Sequence, residues 1–214
     1  MTIAMPKPDR EVLSRREAIV AALRAIVPGE GVVDATNEMR VFETDALTAY
    51  RQLPLVVVLP ETVEQVAAVL KYCHGEGIKV VPRGSGTSLS GGALPLEDGV
   101  LLVLSRFNRI LEVDFDNRCA VVQPGVTNLG ITRAVEHAGF YYAPDPSSQI
   151  ACSIGGNVAE NSGGVHCLKY GLTANNLLGI EFVTIEGEVI RLGGKHLDSE
   201  GYDLIGLMTG SEGL

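Results

Sequence analysis

PRGSGTSLSGG, running from Pro82 to Gly92, follows directly on the apolar run IKVV at Ile78 to Val81. Its glycines, Gly84, Gly86, Gly91 and Gly92, permit positive φ and close approach, so consecutive backbone N–H groups can turn inward and form a concave nest for an anion. Ser85, Thr87, Ser88 and Ser90 add hydroxyl donors, and Arg83 is the only formal charge in the stretch. By composition this is a phosphate cradle, although a flexible loop or a tight glycine turn would have the same composition. Two commoner phosphate motifs fail. A G-x-G-x-x-G fingerprint starting at Gly84 needs glycine at 89, where Leu89 stands, and no GxxxxGK[ST] occurs anywhere.

Working outward, LVVVL at Leu55 to Leu59 predicts a buried strand that Pro60 breaks. Thr62 with Gln65 caps a helix whose Val63, Val66, Val69 and Leu70 form a core-facing stripe, so 55–81 predicts a strand–helix–strand unit. Upstream, residues 1–13 read as a poorly ordered lead-in. Ser14 and Glu17 make a capping box for a helix with Ile19, Val20, Leu23 and Ile26 on one face, stopped by Pro28-Gly29. Downstream, VLLVL at Val100 to Leu104, ILEVD at Ile110 to Asp114 and CAVVQ at Cys119 to Gln123 predict short strands. A helix from about Thr127 ends at Gly139, and strands around Ile180 to Ile185 and Val189 to Leu192 flank Glu186-Gly187.

The second informative segment is APDPSSQIACSIGGNVAENSGGVHCLKYG, Ala143 to Gly171. It reads as irregular. Irregular segments beyond about 12 to 15 residues are usually functional or disordered. Its pairs Gly155-Gly156 and Gly163-Gly164, with Asn157, Asn161 and Ser162 between them, suit a large, mostly uncharged heteroaromatic ligand, or else a packed irregular core segment. His166 reads as a structural residue. His74, His137, His166 and His196 are never at i, i+4 spacing, and no metal site is expected. The absence of G-x-S-x-G argues against a Ser-His-Asp hydrolase.

Composition narrows the classes. The 214 residues are 46% hydrophobic, enough for a real core. Their formal net charge of −9 supplies no global field for nucleic acid or an anionic membrane. The longest apolar runs fall far short of the roughly 20 residues that span a bilayer, and the N-terminus lacks a signal-peptide core, so a cytoplasmic address is expected. Cys73, Cys119, Cys152 and Cys167 contain no CxxC pair and read as reduced, mostly buried thiols.

Taken together, PRGSGTSLSGGALPLEDGVLL, SRFNRIL, VQPGV, the YYAPDPSSQIACSIGGNVAENSGGVHCLKYGLT run and the terminal TGSEGL resemble the FAD-binding domain of the vanillyl-alcohol-oxidase or PCMH type, from about residue 54 onward. Within it they are most similar to the FAD-binding catalytic subunit of bacterial glycolate oxidase, related to D-lactate and D-2-hydroxyglutarate dehydrogenases. The resemblance implies an α+β fold of two small lobes. It divides the chain into a lead-in and helix over 1–50, a first FAD-binding lobe over 51–105 and a second over 106–214.

It also implies that Pro82, Arg83, Gly84, Ser85, Gly86, Thr87 and Ser88 wrap the FAD pyrophosphate. Pro146, Ser147, Ser153, Gly155, Gly156, Asn157, Asn161, Ser162 and Gly163 would lie near the ribityl and isoalloxazine region, mostly through backbone atoms, and Glu212 and Gly213 near the adenine half. Family members continue past the Gly-Ser-Glu-Gly turn into a closing strand and a cap domain, so the chain reads as part of a longer protein with no assignable catalytic residue of its own. The implied parent oxidises a small 2-hydroxy acid such as glycolate or D-lactate and passes electrons to another oxidase subunit or carrier, with peripheral inner-membrane attachment through such subunits. A sheet edge left open by the lost strand would favour homo-oligomers. The competing expectation is a non-catalytic assembly module with an empty cradle.

Overall fold

A computed structural model describes residues 5–196 and 201–213. The first four residues of the lead-in, 197–200 within the second expected lobe, and Leu214 of the TGSEGL motif lie outside the described residues. The chain forms two compact units. One comprises the residues up to Arg106 with Val183–Val189, the other Phe107–Phe182 with the residues from Ile190 onward.

The first unit opens with helices α1 (Arg10–Ser14) and α2 (Arg16–Ile26). The lead-in is therefore structured from Asp9, which caps α1 by accepting from the Glu11 N–H and donates its own N–H to buried Asp98 at 2.7 Å. The expected Ser14 cap is displaced: Ser14 ends α1 and donates its hydroxyl to the Glu11 carbonyl, and α2 starts without a side-chain cap. Ile19, Val20 and Leu23 form the buried stripe of α2, and Pro28 with Gly29 at φ +73° ends it as expected.

Strand β1 (Val32–Val33), helix α3 (Thr36–Met39), strand β2 (Val56–Val58), helix α4 (Val63–Gly75), strand β3 (Lys79–Arg83) and strand β4 (Gly99–Val103) follow. The sheet order is β1-β2-β4-β3, with β1 antiparallel to β2 and β4 parallel to both β2 and β3. The strand–helix–strand unit is present, but β4 slots between its two strands and pairs Leu101 with both Val57 and Val81. Continuous apolar runs at β2 and β4 are what a sheet covered on both faces requires. Met39, Val57, Val81, Leu101 and Val103 make one side of the core. Val66, Val69 and Cys73 of α4 are buried, and Thr62 caps that helix by accepting from the Gln65 N–H.

The second unit contains the antiparallel hairpin β5 (Ile110–Asp114) and β6 (Cys119–Val122), whose turn is fastened by both Asn117 nitrogens on the Asp114 carboxylate. Helix α5 (Asn128–Val135), capped by Thr127, runs through a short 3-10 turn into Gly139 at φ +81°. Two helices follow where irregular chain is expected, α6 (Ile154–Glu160) and α7 (Cys167–Tyr170). Strands β7 (Gly179–Val183) and β8 (Val189–Gly193) form a second two-stranded sheet, and α8 (Leu204–Met208) is the last helix. Val126, Ile131 and Ile154 form the unit's small core.

Candidate functional site

Pro82 and Arg83 belong to β3 rather than to the loop, in register with Leu102 and Val103 of β4. The loop begins at Gly84, at the carboxyl end of a parallel strand, where open α/β sheets place their ligands. The main-chain N–H groups of Ser85, Gly86, Thr87, Ser88 and Leu89 find no acceptor among the described residues. Ser85 and Leu89 are exposed and the three residues between them half-buried, so these donors are open to an outside partner, and a run of consecutive free donors is the make-up of an anion nest. The Ser88 and Ser90 hydroxyls bond each other at 2.7 Å.

Arg83 does something different from its neighbours. Its side chain is buried, its Nη1 donates to the Ala93 carbonyl at 3.2 Å and its guanidinium lies 6.0 Å from the Phe42 ring centre. Burial pulls its pKa down, and the charge of Asp45 opposes that. Asp45 is itself buried. Its carboxylate accepts from the Leu47 N–H, its Oδ2 has no hydrogen-bond partner among the described residues, and the Ala46 N–H donates to the Gly86 carbonyl at 3.0 Å. Residues 42–47 therefore line the underside of the cradle loop. The sequence places them in the N-terminal 1–50 segment, and ETDALT, with Glu43 and Thr44 beside Asp45, carries no local sign that Asp45 is buried.

In the second unit the site residues collect around α6. Ser153 is its N-cap, accepting from the Gly156 N–H, and is buried. Gly155 is a glycine because it lies against Pro124: its N–H reaches the Pro124 carbonyl at 2.8 Å, and an added Cβ would come within 2.6 Å of the Pro124 ring. Asn157 is 2% exposed and its Nδ2 has no acceptor among the described residues. Such a buried donor is stranded at a cost of about 1–3 kcal/mol unless a ligand or water meets it. Asn128, absent from the sequence reading, is buried beside the same segment. It donates to the Pro144 carbonyl and leaves its own Oδ1 without a partner among the described residues.

The remaining positions hold that arrangement. Pro146 is buried and its carbonyl accepts from Gln149, while Ser147 is exposed. Asn161, at φ +52°, closes α6 and accepts the Ala174 N–H; the Ser162 carbonyl accepts both the hydroxyl and the N–H of Thr173. An added Cβ on Gly163 would come within 2.3 Å of Leu172. Glu212, at φ +57°, donates its N–H to the Ala159 carbonyl, and Gly210 does the same to Val158, so the Gly-Ser-Glu-Gly turn sits on the end of α6; Gly213 bonds the Ser211 hydroxyl. His166 pairs through Nδ1 with Asp145 at 2.6 Å.

A cleft of about 340 Å³ in the first unit is lined by Leu13, Arg16, Asp34, Met39 and Gln52 among others but by no cradle residue, so it is not the same site. No group of three or more metal-ligating side chains occurs among the described residues, and no described helix is long and apolar enough to cross a membrane.

The family described as FAD binding domain matches residues 54–193. The chain belongs to this FAD-binding family. It is 59% identical over 199 residues to the glycolate oxidase subunit GlcD of Escherichia coli K12, covering 93% of this chain and 40% of that protein. It is 45% identical to glycolate oxidase subunit GlcD of Bacillus subtilis (87% and 40% covered) and 41% identical to a D-lactate dehydrogenase of Archaeoglobus fulgidus (85% and 41%). Among solved structures, alkyldihydroxyacetonephosphate synthase superposes with a TM-score of 0.74 at 22% identity, covering 99% of this chain and 39% of that one, a likeness of fold. The chain thus spans about 40% of the length of the relatives it matches. The FAD-binding domain has features of its own that fit the cofactor: main-chain donors for a diphosphate and a buried amide donor, neither with an acceptor among the described residues.

Proposed function

We propose that this chain is the FAD-binding portion of an oxidoreductase acting on a 2-hydroxy acid of the glycolate or D-lactate type. The carrying observation is the run of unpaired main-chain donors from Ser85 to Leu89 in a chain of the FAD-binding family. The flavin, when bound, supplies the hydride acceptor. The protein's own share is to bind and orient it. The loop from Gly84 to Ser88 receives the diphosphate through N–H groups, which suits a stretch whose only formal charge is Arg83 in a molecule of net charge −9. Around α6, Pro146, Ser147, Ser153, Gly155, Gly156, Asn157, Asn161, Ser162 and Gly163 form the side toward the ring, with the Asn157 amide as the side-chain donor. Glu212 and Gly213 serve the adenine half.

The substrate class rests on the names of the relatives, glycolate oxidase subunits and D-lactate dehydrogenases. In the same reading, 51–105 and 106–214 are the two FAD-binding lobes. Further oxidase subunits or a carrier take the electrons, and such subunits provide any peripheral membrane attachment. A base to take the hydroxyl proton and an arginine to clamp the substrate carboxylate are expected in the cap domain of such an oxidoreductase, so the 214 residues alone are expected to turn over neither glycolate nor D-lactate.

The test is an absorbance spectrum and a FAD titration of the purified protein. Flavin bands with saturable FAD binding are expected; a colourless protein that binds no FAD at high micromolar concentration would leave the assembly-module reading in its place.

A further inference from the structure

Resting on the reading of the 84–89 loop as a diphosphate cradle, we infer that Arg83 is a positioning residue for it and not a phosphate ligand. The guanidinium, laid between Phe42 and Gly86 with Asp45 alongside, props the loop in the form that leaves its main-chain donors unpaired.

The first reason is where Arg83 sits in the strand. Successive residues of β3 point to opposite faces, so Arg83 shares a face with Val81, whose neighbours are Met39, Val57, Leu101 and Val103. The strand pattern calls for an apolar residue there. A buried cation at a core-facing position is costly unless well partnered, and departures of this kind from the local rules collect at functional sites.

The second reason is its contacts. An ideal Cβ on Gly86 would fall 2.3 Å from Nη2, 2.6 Å from Cζ and 3.0 Å from Nε of Arg83, so the guanidinium plane lies flat across the glycine. The Phe42 ring lies 6.0 Å from Cζ. Nη1 reaches the Ala93 carbonyl, beyond the far end of the loop, while the Ala46 N–H holds the Gly86 carbonyl. One planar group thus fixes the left-handed bend at Gly86, φ +67°, and spans the loop from β3 to Ala93. No ion pair within 4 Å joins Arg83 to Asp45 among the described residues, yet Asp45 is the charge that acts on it. To contact a phosphate directly, the guanidinium would have to leave this stack.

Three ligands separate the roles: FAD and ADP, which carry the diphosphate, and riboflavin, which does not. Affinities are compared for wild type, Arg83→Met, Arg83→Lys and Phe42→Leu, with the melting temperature of each ligand-free protein recorded in parallel. Arg83→Met is expected to weaken FAD and ADP at least about tenfold, the scale of losing charge-assisted hydrogen bonding, and to leave riboflavin unchanged. Arg83→Lys keeps the charge but not the plane, and is expected to resemble Arg83→Met. Full rescue by lysine, or wild-type ADP affinity in Arg83→Met, would overturn the positioning role. If Arg83→Met fails to fold, Phe42→Leu removes one face of the stack and keeps the arginine. Weaker ADP with unchanged riboflavin supports the proposal, and unchanged ADP overturns it. A wild-type protein that binds neither FAD nor ADP overturns the flavin reading itself, whereas normal wild-type binding with indifferent variants overturns only the role of Arg83.

Discussion

Gly164 lies against the backbone of Asp145 so closely that a Cβ placed on it would stand 1.9 Å from the Asp145 carbonyl oxygen and 2.3 Å from its Oδ1. The Asp145 carboxylate also accepts from the backbone N–H and from the Nδ1 of His166. Two segments some twenty residues apart, PDPSS and GGVH, are thereby fastened at one point. Because the obstruction is backbone, it cannot swing away. Gly164→Ala is expected to destabilise the protein by about 2–4 kcal/mol, an overpacking penalty at the upper end of the usual range, measured as a shift of the urea midpoint. A wild-type midpoint would show that the two segments are free to separate.

Asp98 gives a pH dependence of known sign. Burial pushes its carboxyl pKa up, but the hydrogen bond from Lys79 Nζ and the one from the Asp9 N–H, each 2.7 Å, outweigh burial and leave it below the usual carboxylate value. A folded-state pKa lower than the unfolded one means that the unfolded chain takes up the proton more readily. The contribution is therefore complete above the unfolded carboxylate pKa and is lost as pH falls through the folded one. Asp98→Asn is expected to be less stable than wild type at pH 7, with the gap narrowing as pH drops below that range in chemical denaturation. A gap that stays constant down to pH 3 would contradict this account.

The fold was legible wherever one residue type had one reason to be present. The apolar runs at Leu55 to Leu59 and Val100 to Leu104 read as buried strands and are β2 and β4 in the structure, and Thr62 is a cap in the structure as in the sequence. Helix α6 was hidden because two glycines lower helix propensity by about 1 kcal/mol each relative to alanine. The reason for Gly155, its contact with Pro124, is tertiary and leaves no local mark. Strand β1 is two residues long and too short to show periodicity. At the site, glycines and hydroxyls announced an anion loop, but the use of Arg83 could not be read, since a cation beside glycines looks the same as a ligand or as a strut. Phe42, Asp45 and Asn128 matter only through distant contacts.

Ser153 separates a cap from a ligand. Its hydroxyl accepts the Gly156 N–H at 3.4 Å, a long bond, and the residue is buried beneath the first turn of α6. Ser153→Ala is expected to lower stability by about 1 kcal/mol, the usual value of an N-cap, and to leave FAD affinity within about twofold, the scale of a few tenths of a kcal/mol. A large loss of FAD affinity at normal stability would move the serine hydroxyl from helix capping to direct cofactor contact.

The four cysteines should divide by reactivity, because the thiolate is the nucleophile and burial disfavours it. Cys73 on α4 is fully buried, and burial pushes its thiol pKa up to about 12. Cys152 is buried too, Cys119 is half-buried, and Cys167 on α7 is exposed. In the native protein at pH 8, a disulfide reagent is therefore expected to label Cys167 first and Cys73 and Cys152 only after denaturant is added, as read by peptide mass mapping over time. The order also reports on the fold. Labelling of Cys73 at the rate of Cys167 would mean that α4 leaves β3 and α2 on the timescale of the reaction, and that the sheet carrying the cradle at its edge is not the stable platform its buried valines indicate.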